Sequence, residues 1–350
     1  MDVKALIADS SLLGNVLSGN IDDYPDGIII PIDKPYRWTS ADVVRKLKWA
    51  ACKHFGKKNL KVGHAGTLDP LATGVLLICV GKATRLAETL QKERKEYVAE
   101  IAFGATTPSF DLEKAADKTY PIDKVTEESV TELLPRFLGE QDQVAPLFSA
   151  KSVDGVRAYE LARRQFKEKG KAKTEVLEDF DHSVANLLNV QRINIYELEL
   201  LAFDSSVSSE AEAPLGPVRV HSRFAAAEYG QGPRCPLPDG DNKGLGAAVP
   251  LPTDNIGQGP RCPLPDGDNK GPDGRINVAD TSGLDLAVAT VRIACSKGTY
   301  IRALARDFGE ALDSGAHLAS LRRTKSGGFD VETALSVQQA LSLLPVNTRV

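Results

Sequence analysis

The sequence predicts an α+β domain in which strands and helices share one sizeable core. Strand-like and helix-like stretches follow one another without the regular alternation of a doubly wound sheet. Apolar residues make up 42% of the 350 and charged residues 26%, ordinary values for a globular chain. No run of about 18 apolar residues occurs, which excludes a transmembrane helix. The first residues lack the charged start and long apolar stretch of a secretory signal. Five scattered cysteines, Cys52, Cys79, Cys235, Cys262 and Cys295, form no CxxC pair and read as reduced thiols of a cytoplasmic protein.

The elements follow in order. Residues 1–26 are polar and weakly patterned, an N-terminal arm that is loose or holds one short helix. GIIIPID at 27–33 reads as a buried strand. Thr39 or Ser40 can cap a helix through 41–55, with Val43, Val44, Leu47 and Ala51 on one face. GVLLICVG at 74–81 is a short apolar run between glycines, a central strand. Residues 95–104 alternate Tyr97, Ala99, Ile101 and Phe103, the pattern of a half-buried strand. Helices are expected over 130–138 and after Ala158, and long strands over 192–203 and 284–295. TYIRALARDFGEAL places Ile301, Leu304, Ala305 and Phe308 on one side of a helix, and VQQALSLL ends the series as a short helix.

One stretch breaks this pattern. Between 213 and 274 about a third of the residues are Pro or Gly, and the sequence GQGPRCPLPDGDNKG occurs at 230–244 and again at 257–271. Such a composition buries too little apolar surface to offset chain ordering. Each copy has one Cys and no His, so a zinc site lacks ligands. A flexible low-complexity insertion at 205–283, within a catalytic domain spanning 27–350, is the expected organisation.

The net charge of −4 hides an asymmetry. From Lys34 to Lys95 there are 14 Lys and Arg against 4 Asp and Glu, a local balance of +10. That stretch suits a polyanion, although a solvated lysine-rich face accounts for it equally well. Within it, KVGHAGTLDPLATGVLLICVGKATR at 61–85 is the most informative window. Gly63 and Gly66 allow close backbone approach to a ligand. Pro70 holds Asp69 extended at a loop corner. A carboxylate fixed there beside His64 is a candidate nucleophile or base, though an Asp-Pro turn alone is more often structural.

The whole window resembles the active-site signature GHxGxLDPxATGxL of the TruB family of tRNA pseudouridine synthases. Further segments resemble that family in the same order: DKPYRWTS (33–40), KEYVAEIAFGATTPSFD (95–111), QVAPLFSAKSVDGVRAYELAR (143–163), CSKGTYIRALARDFG (295–309) and LRRTKSGGF (321–329). Departures from the family pattern are Arg37 for the Gly of the first turn, Pro108, Lys114, Ala145, Phe148 and Arg85. The first bears on the local backbone, and none touches Asp69.

The resemblance implies a mixed, mainly antiparallel sheet flanked by helices, with an RNA cleft. About 21 residues follow Phe329, too few for another domain, so the likeness is to a short form without a PUA domain. It implies isomerisation of uridine 55 in the TψC stem-loop of tRNA, without metal or cofactor, membrane or protein partner. Asp69 is then the catalytic carboxylate and Arg302 its partner. Tyr97 and Tyr300 line the pocket, Tyr97 against the flipped uracil, and His64 fills the vacated space in the RNA. Lys61, Lys82 and Arg85 meet phosphates, which position the RNA rather than specify it. A guide-RNA-dependent box H/ACA-type enzyme and a non-catalytic tRNA-binding or folding module are the rival readings.

Overall fold

The computed structural model describes residues 4–146, 190–205 and 276–346, together with the backbone of two short strands at 152–153 and 156–157. The helix expected after Ala158 and residues 206–275 of the insertion lie outside the described residues.

The strands are β1 (Leu6–Ile7), β2 (Ile28–Lys34), β3 (Val62–His64), β4 (Ala72–Val80), β5 (Lys95–Phe103), β6 (Ala105–Thr106), β7 (Lys118–Thr119), β8 (Gly139–Val144), β9 (Ser152–Val153), β10 (Val156–Arg157), β11 (Val190–Asp204), β12 (Ala287–Cys295), β13 (Ala316–Ser326) and β14 (Phe329–Asp330). Ten of them form one sheet in the order β1-β2-β4-β13-β5-β12-β11-β8, with β3 added on β4 and β14 on β13. Two pairings are parallel, β1–β2 and β4–β13, and the others in this sheet are antiparallel. This is the mixed, mainly antiparallel α+β sheet that the resemblance implied. The helices are α1 (Ser40–His54), α2 (Ala87–Lys92), α3 (Glu127–Leu133), α4 (Ile301–Ala311) and α5 (Val337–Ser342). Among the described residues no helix is long and apolar enough to cross a membrane.

The unbroken apolar runs of β2 and β4 have a physical reason: both faces of these strands are covered. Ile28, Ile30, Ile32, Leu76 and Ile78 enter the main core, while Ile29, Val75, Leu77 and Cys79 enter a second, smaller cluster. Pro31 is tolerated in β2 because its carbonyl faces the edge, where it accepts from Leu335 N, so its missing N–H leaves the β4 ladder intact. Helix α1 is capped by Thr39, whose hydroxyl accepts from Asp42 N while the Asp42 carboxylate accepts from Thr39 N. Its buried face carries Val43, Leu47, Ala50 and Ala51. Helix α4 buries Ile301, Leu304, Ala305 and Phe308, the face its periodicity predicts.

Several expectations need correction. Residues 4–26 are not loose: β1 pairs with β2, Ala5, Ala8, Leu17 and Ile21 are buried, and Leu17 N donates to Leu343 O. Strand β5 is buried along most of its length rather than on one face only: it lies inside the sheet between β13 and β12, and α4 packs against it. The helix expected at 130–138 begins earlier, where Thr126 and Ser129 form a capping box, and tightens into a 3-10 turn at Leu134–Phe137 around Pro135. At the end of the 205–283 segment, Ile276 is buried and Ala279 N donates to Leu112 O, so the chain is anchored to the domain at these two points.

Arg37 deserves a measurement. It holds φ of +63°, the left-handed region that favours glycine, and its Nε donates to Ile276 O at 2.6 Å. Arg37→Ala removes the hydrogen bond and keeps the backbone penalty, whereas Arg37→Gly removes both. The glycine variant is expected to be more stable than the alanine variant by roughly 0.5–1 kcal/mol in urea unfolding. An alanine variant as stable as the glycine variant, or more so, contradicts this.

Candidate active site

The loop between β3 and β4 carries Asp69, and four ties fix it. Ser40 Oγ donates to Leu68 O at 3.1 Å and accepts from Leu68 N at 3.0 Å, so the first turn of α1 grips the residue before Asp69. The Lys34 ammonium donates to Pro70 O at 3.1 Å on the other side, and to Pro35 O and Trp38 O. Ala72 N closes the turn onto Asp69 O at 3.1 Å. Gly74 then runs against β13 with φ of +98°, so close that a Cβ there would lie 2.1 Å from Arg323 O. Only glycine permits that approach.

The fourth tie is electrostatic. Arg302, on the first turn of α4, donates from Nε to Asp69 Oδ2 at 2.9 Å and from Nη2 to Asp69 Oδ1 at 3.1 Å. This is a two-point fork, the geometry in which guanidinium and carboxylate pair best. The Arg302 side chain is 4% exposed and that of Asp69 39%. The guanidinium is thus interior while the carboxylate keeps an open edge. Asp111 approaches the same Nε of Arg302, Oδ2 to Nε 3.6 Å, and Ser109 O accepts from Nη1 at 3.2 Å. Burial alone would lower the Arg302 pKa, but Asp69 and Asp111 hold it above its ordinary value. Burial pushes the Asp111 carboxyl up to about 6, against the pull of Arg302 and a hydrogen bond from Ser109. Burial also brings the Lys34 ammonium down to about 7, opposed chiefly by Asp69.

The other sequence-predicted residues fall into two groups. Tyr97 lies on β5 opposite Arg323 of β13, buried, with its pKa raised by that burial against the effect of Arg323. His64 ends β3; burial and then Arg323 depress its imidazole pKa. Arg323 itself donates to Val75 O at 2.7 Å and Gly66 O at 3.2 Å, joining β4, β13 and the Asp69 loop. Tyr300 is the N-cap of α4 and its side chain makes no capping hydrogen bond; instead its backbone N donates to Gln143 Oε1 at 2.8 Å, and Gln143 Nε2 donates back to Tyr300 O at 3.2 Å. Lys61, Lys82 and Arg85 are exposed and lie elsewhere. Gly81 N donates to Lys61 O, which puts these three at the end of β4 remote from Asp69, a strand length of about 26 Å.

Sequence reasoning assigned no role to Asp111, Lys34 or Arg323. All three stand in the segments quoted above, but nothing local marks a lysine or arginine that will be buried, or a second carboxylate for Arg302.

Asp111 provides a test by pH. Its folded pKa of about 6 lies above the ordinary carboxyl value of 3.8, so between those values the folded state binds the extra proton. Stability contributed by this group therefore rises as pH falls through 6 and is lost as pH rises through it. From pH 7 to pH 5, wild type should gain roughly 1 kcal/mol relative to Asp111→Asn in urea unfolding. A gap that stays constant or moves the other way contradicts the assignment.

Comparison with known proteins meets this geometry from the other side. The family model "TruB family pseudouridylate synthase (N terminal domain)" matches residues 53–184, which include Asp69. The model "tRNA pseudouridylate synthase B C-terminal domain" matches residues 302–345, beginning at Arg302. The chain is 38% identical over 316 residues to a protein of Phocaeicola vulgatus named tRNA pseudouridine synthase B, covering 90% of this chain and 92% of that one. It is 38% identical over 313 residues to the protein of that name in Bacteroides thetaiotaomicron, with 89% and 91% covered. For Thermus thermophilus the identity is 34% over 306 residues, with 87% and 75% covered. The ion pair between Asp69 and Arg302 joins the two matched segments, and the chain belongs to the TruB family of pseudouridylate synthases.

Proposed function

We propose that this enzyme converts uridine 55 in the TψC loop of cytoplasmic tRNA to pseudouridine, with Asp69 as the catalytic carboxylate. The reaction breaks the N1–C1′ bond and joins C5 of the same uracil to C1′, so atoms balance within one nucleotide. Relatives named tRNA pseudouridine synthase B support tRNA as the substrate. The observation that carries the assignment of Asp69 is the asymmetry of its ion pair. Both carboxylate oxygens are aimed by the Arg302 fork, yet more than a third of the side chain stays open to a ligand. A carboxylate held in this way reaches a substrate without first losing conformational freedom.

In this reading a uridine leaves the RNA stack and enters beside Asp69, which acts as nucleophile or base. Tyr97, buried on β5 opposite Arg323, supplies a flat ring for the uracil. Tyr300 and Arg302 enter together on the first turn of α4, so the Gln143 clamp that sets one sets the other. His64 occupies the space that the flipped nucleotide leaves. Lys61, Lys82 and Arg85 contact phosphates well away from the reacting base.

Asp69→Asn is the direct test. The amide keeps the shape, and Asp111 remains beside Arg302 as a counter-charge, so the fold should hold. On a bare tRNA transcript without guide RNA, binding should stay within a few fold, while pseudouridine formation falls below about a thousandth of wild type. A variant that retains more than this sinks the assignment of Asp69. A wild-type protein inactive on bare tRNA favours the guide-dependent or non-catalytic reading.

A further inference from the structure

The cations of the basic stretch at 34–95 divide into groups once the fold is known. Lys34 and Lys95 are buried. Arg45, Lys57, Lys92 and Arg94 pair with Asp42, Asp22, Glu88 and Glu197. Lys46, Lys48, Lys53, Lys58, Lys61, Lys82 and Arg85 are exposed and make no ion pair among the described residues. The last three were already assigned to phosphates. Three of the others lie on α1.

On α1, Lys46 precedes Trp49 by three residues and Lys53 follows it by four, so both neighbour its ring on the helix surface; Lys48 flanks it. Trp49 is 56% exposed. An indole left in water among cations lacking carboxylate partners has no stabilising role within the described fold. The opposite face of α1, Val43, Leu47, Ala50 and Ala51, is locked in the core, so the helix cannot roll to insert into a lipid surface. Charge complementarity selects a polyanion, and in an RNA-modifying enzyme that polyanion is RNA.

The placement fits. Helix α1 begins at Ser40, which grips the residue before Asp69, and runs about 22 Å away from it. The chain then passes Lys58 and Lys61 and meets Lys82 and Arg85 at the remote end of β4. The unpaired cations thus form a track leading outward from the catalytic loop.

We propose that the outer face of α1, centred on Trp49 with Lys46, Lys48 and Lys53, docks the sugar–phosphate backbone of the RNA substrate outside the catalytic pocket. The lysines meet phosphates and the indole packs against the sugar edge. This rests on the RNA-modifying function proposed above, and it concerns affinity, not chemistry.

The test uses the full chain with an unmodified tRNA transcript. Equilibrium binding is measured across a salt series, and single-turnover pseudouridine formation at saturating RNA, for wild type, the Lys46→Gln/Lys48→Gln/Lys53→Gln variant and Trp49→Ala. All four positions are exposed, so both variants should melt with wild type. The triple variant should bind about tenfold or more weakly, with the slope of log affinity against log salt reduced by about 2–3. Trp49→Ala should bind about fivefold or more weakly with the slope unchanged, on the scale of lost ring contacts to nucleic acid. The saturated rate should stay within about twofold for both, since neither touches the reacting nucleotide. Wild-type affinity and salt slope in both variants, alongside an active wild-type enzyme, overturn the proposal alone and leave this face to a protein partner. No affinity of wild type for tRNA overturns the proposed function and this docking surface together.

Discussion

The structure of the site depends on burying one guanidinium. An arginine side chain 4% exposed cannot stay charged in the interior unless its N–H groups and its charge are met locally, since an unpaired buried ion costs several kcal/mol. Arg302 satisfies this with two carboxylates and a backbone carbonyl drawn from two separate segments: Asp69 from the β3–β4 loop, and Ser109 and Asp111 from the turn after β6. Those segments and α4 must therefore arrive together. The same requirement that stabilises the interior aims the carboxylate of Asp69 and leaves one edge of it accessible.

The remaining ties relieve this pair of having to hold the loop alone. Ser40 grips Leu68, Lys34 grips Pro70, and Arg323 reaches Gly66, so the residues around Asp69 are held from α1, β2 and β13. Gly74 lets β4 approach the backbone of β13 at the point where the loop enters the sheet. Gln143 fixes the start of α4 by its backbone, and with it the direction of Arg302. A site supported in this way is preorganised by secondary elements rather than by loop conformation.

Much of the sheet was legible from pattern alone. The apolar runs of β2 and β4 read as buried strands because they are buried on both faces, and the amphipathic spacing of α4 named its core face. The misreadings have physical causes. Residues 4–26 dock through a two-residue strand and scattered apolar contacts, which leave no periodicity to read. Tyr97 to Phe103 alternates like a half-buried strand, but it lies inside the sheet between β12 and β13, which are remote in sequence. Composition treated all the cations of 34–95 alike, whereas Lys34 is fully buried against three carbonyls and Lys61, Lys82 and Arg85 lie a strand length from Asp69. The pairing of Asp69 with Arg302 was legible only through family resemblance, since 233 positions separate them. Asp111 closes the family-like segment 95–111, yet nothing in that segment says that it meets Arg302. Arg37 shows the converse: where the resemblance leads one to expect glycine, an arginine holds the left-handed backbone that glycine favours, with its side chain tied to Ile276.

The two-point geometry of the Arg302 fork, and not merely its charge, holds the Asp69 carboxylate in place. Arg302→Lys separates the two, because lysine keeps the positive charge and loses the planar pair of donors. The decisive measurement is the single-turnover rate of pseudouridine formation by this variant at saturating tRNA, with binding and thermal unfolding measured in parallel. The variant is expected to fold, to bind tRNA within a few fold of wild type and to react about a hundredfold or more slowly, the scale of a misplaced catalytic group. A folded Arg302→Lys enzyme reacting within a few fold of wild type would contradict it.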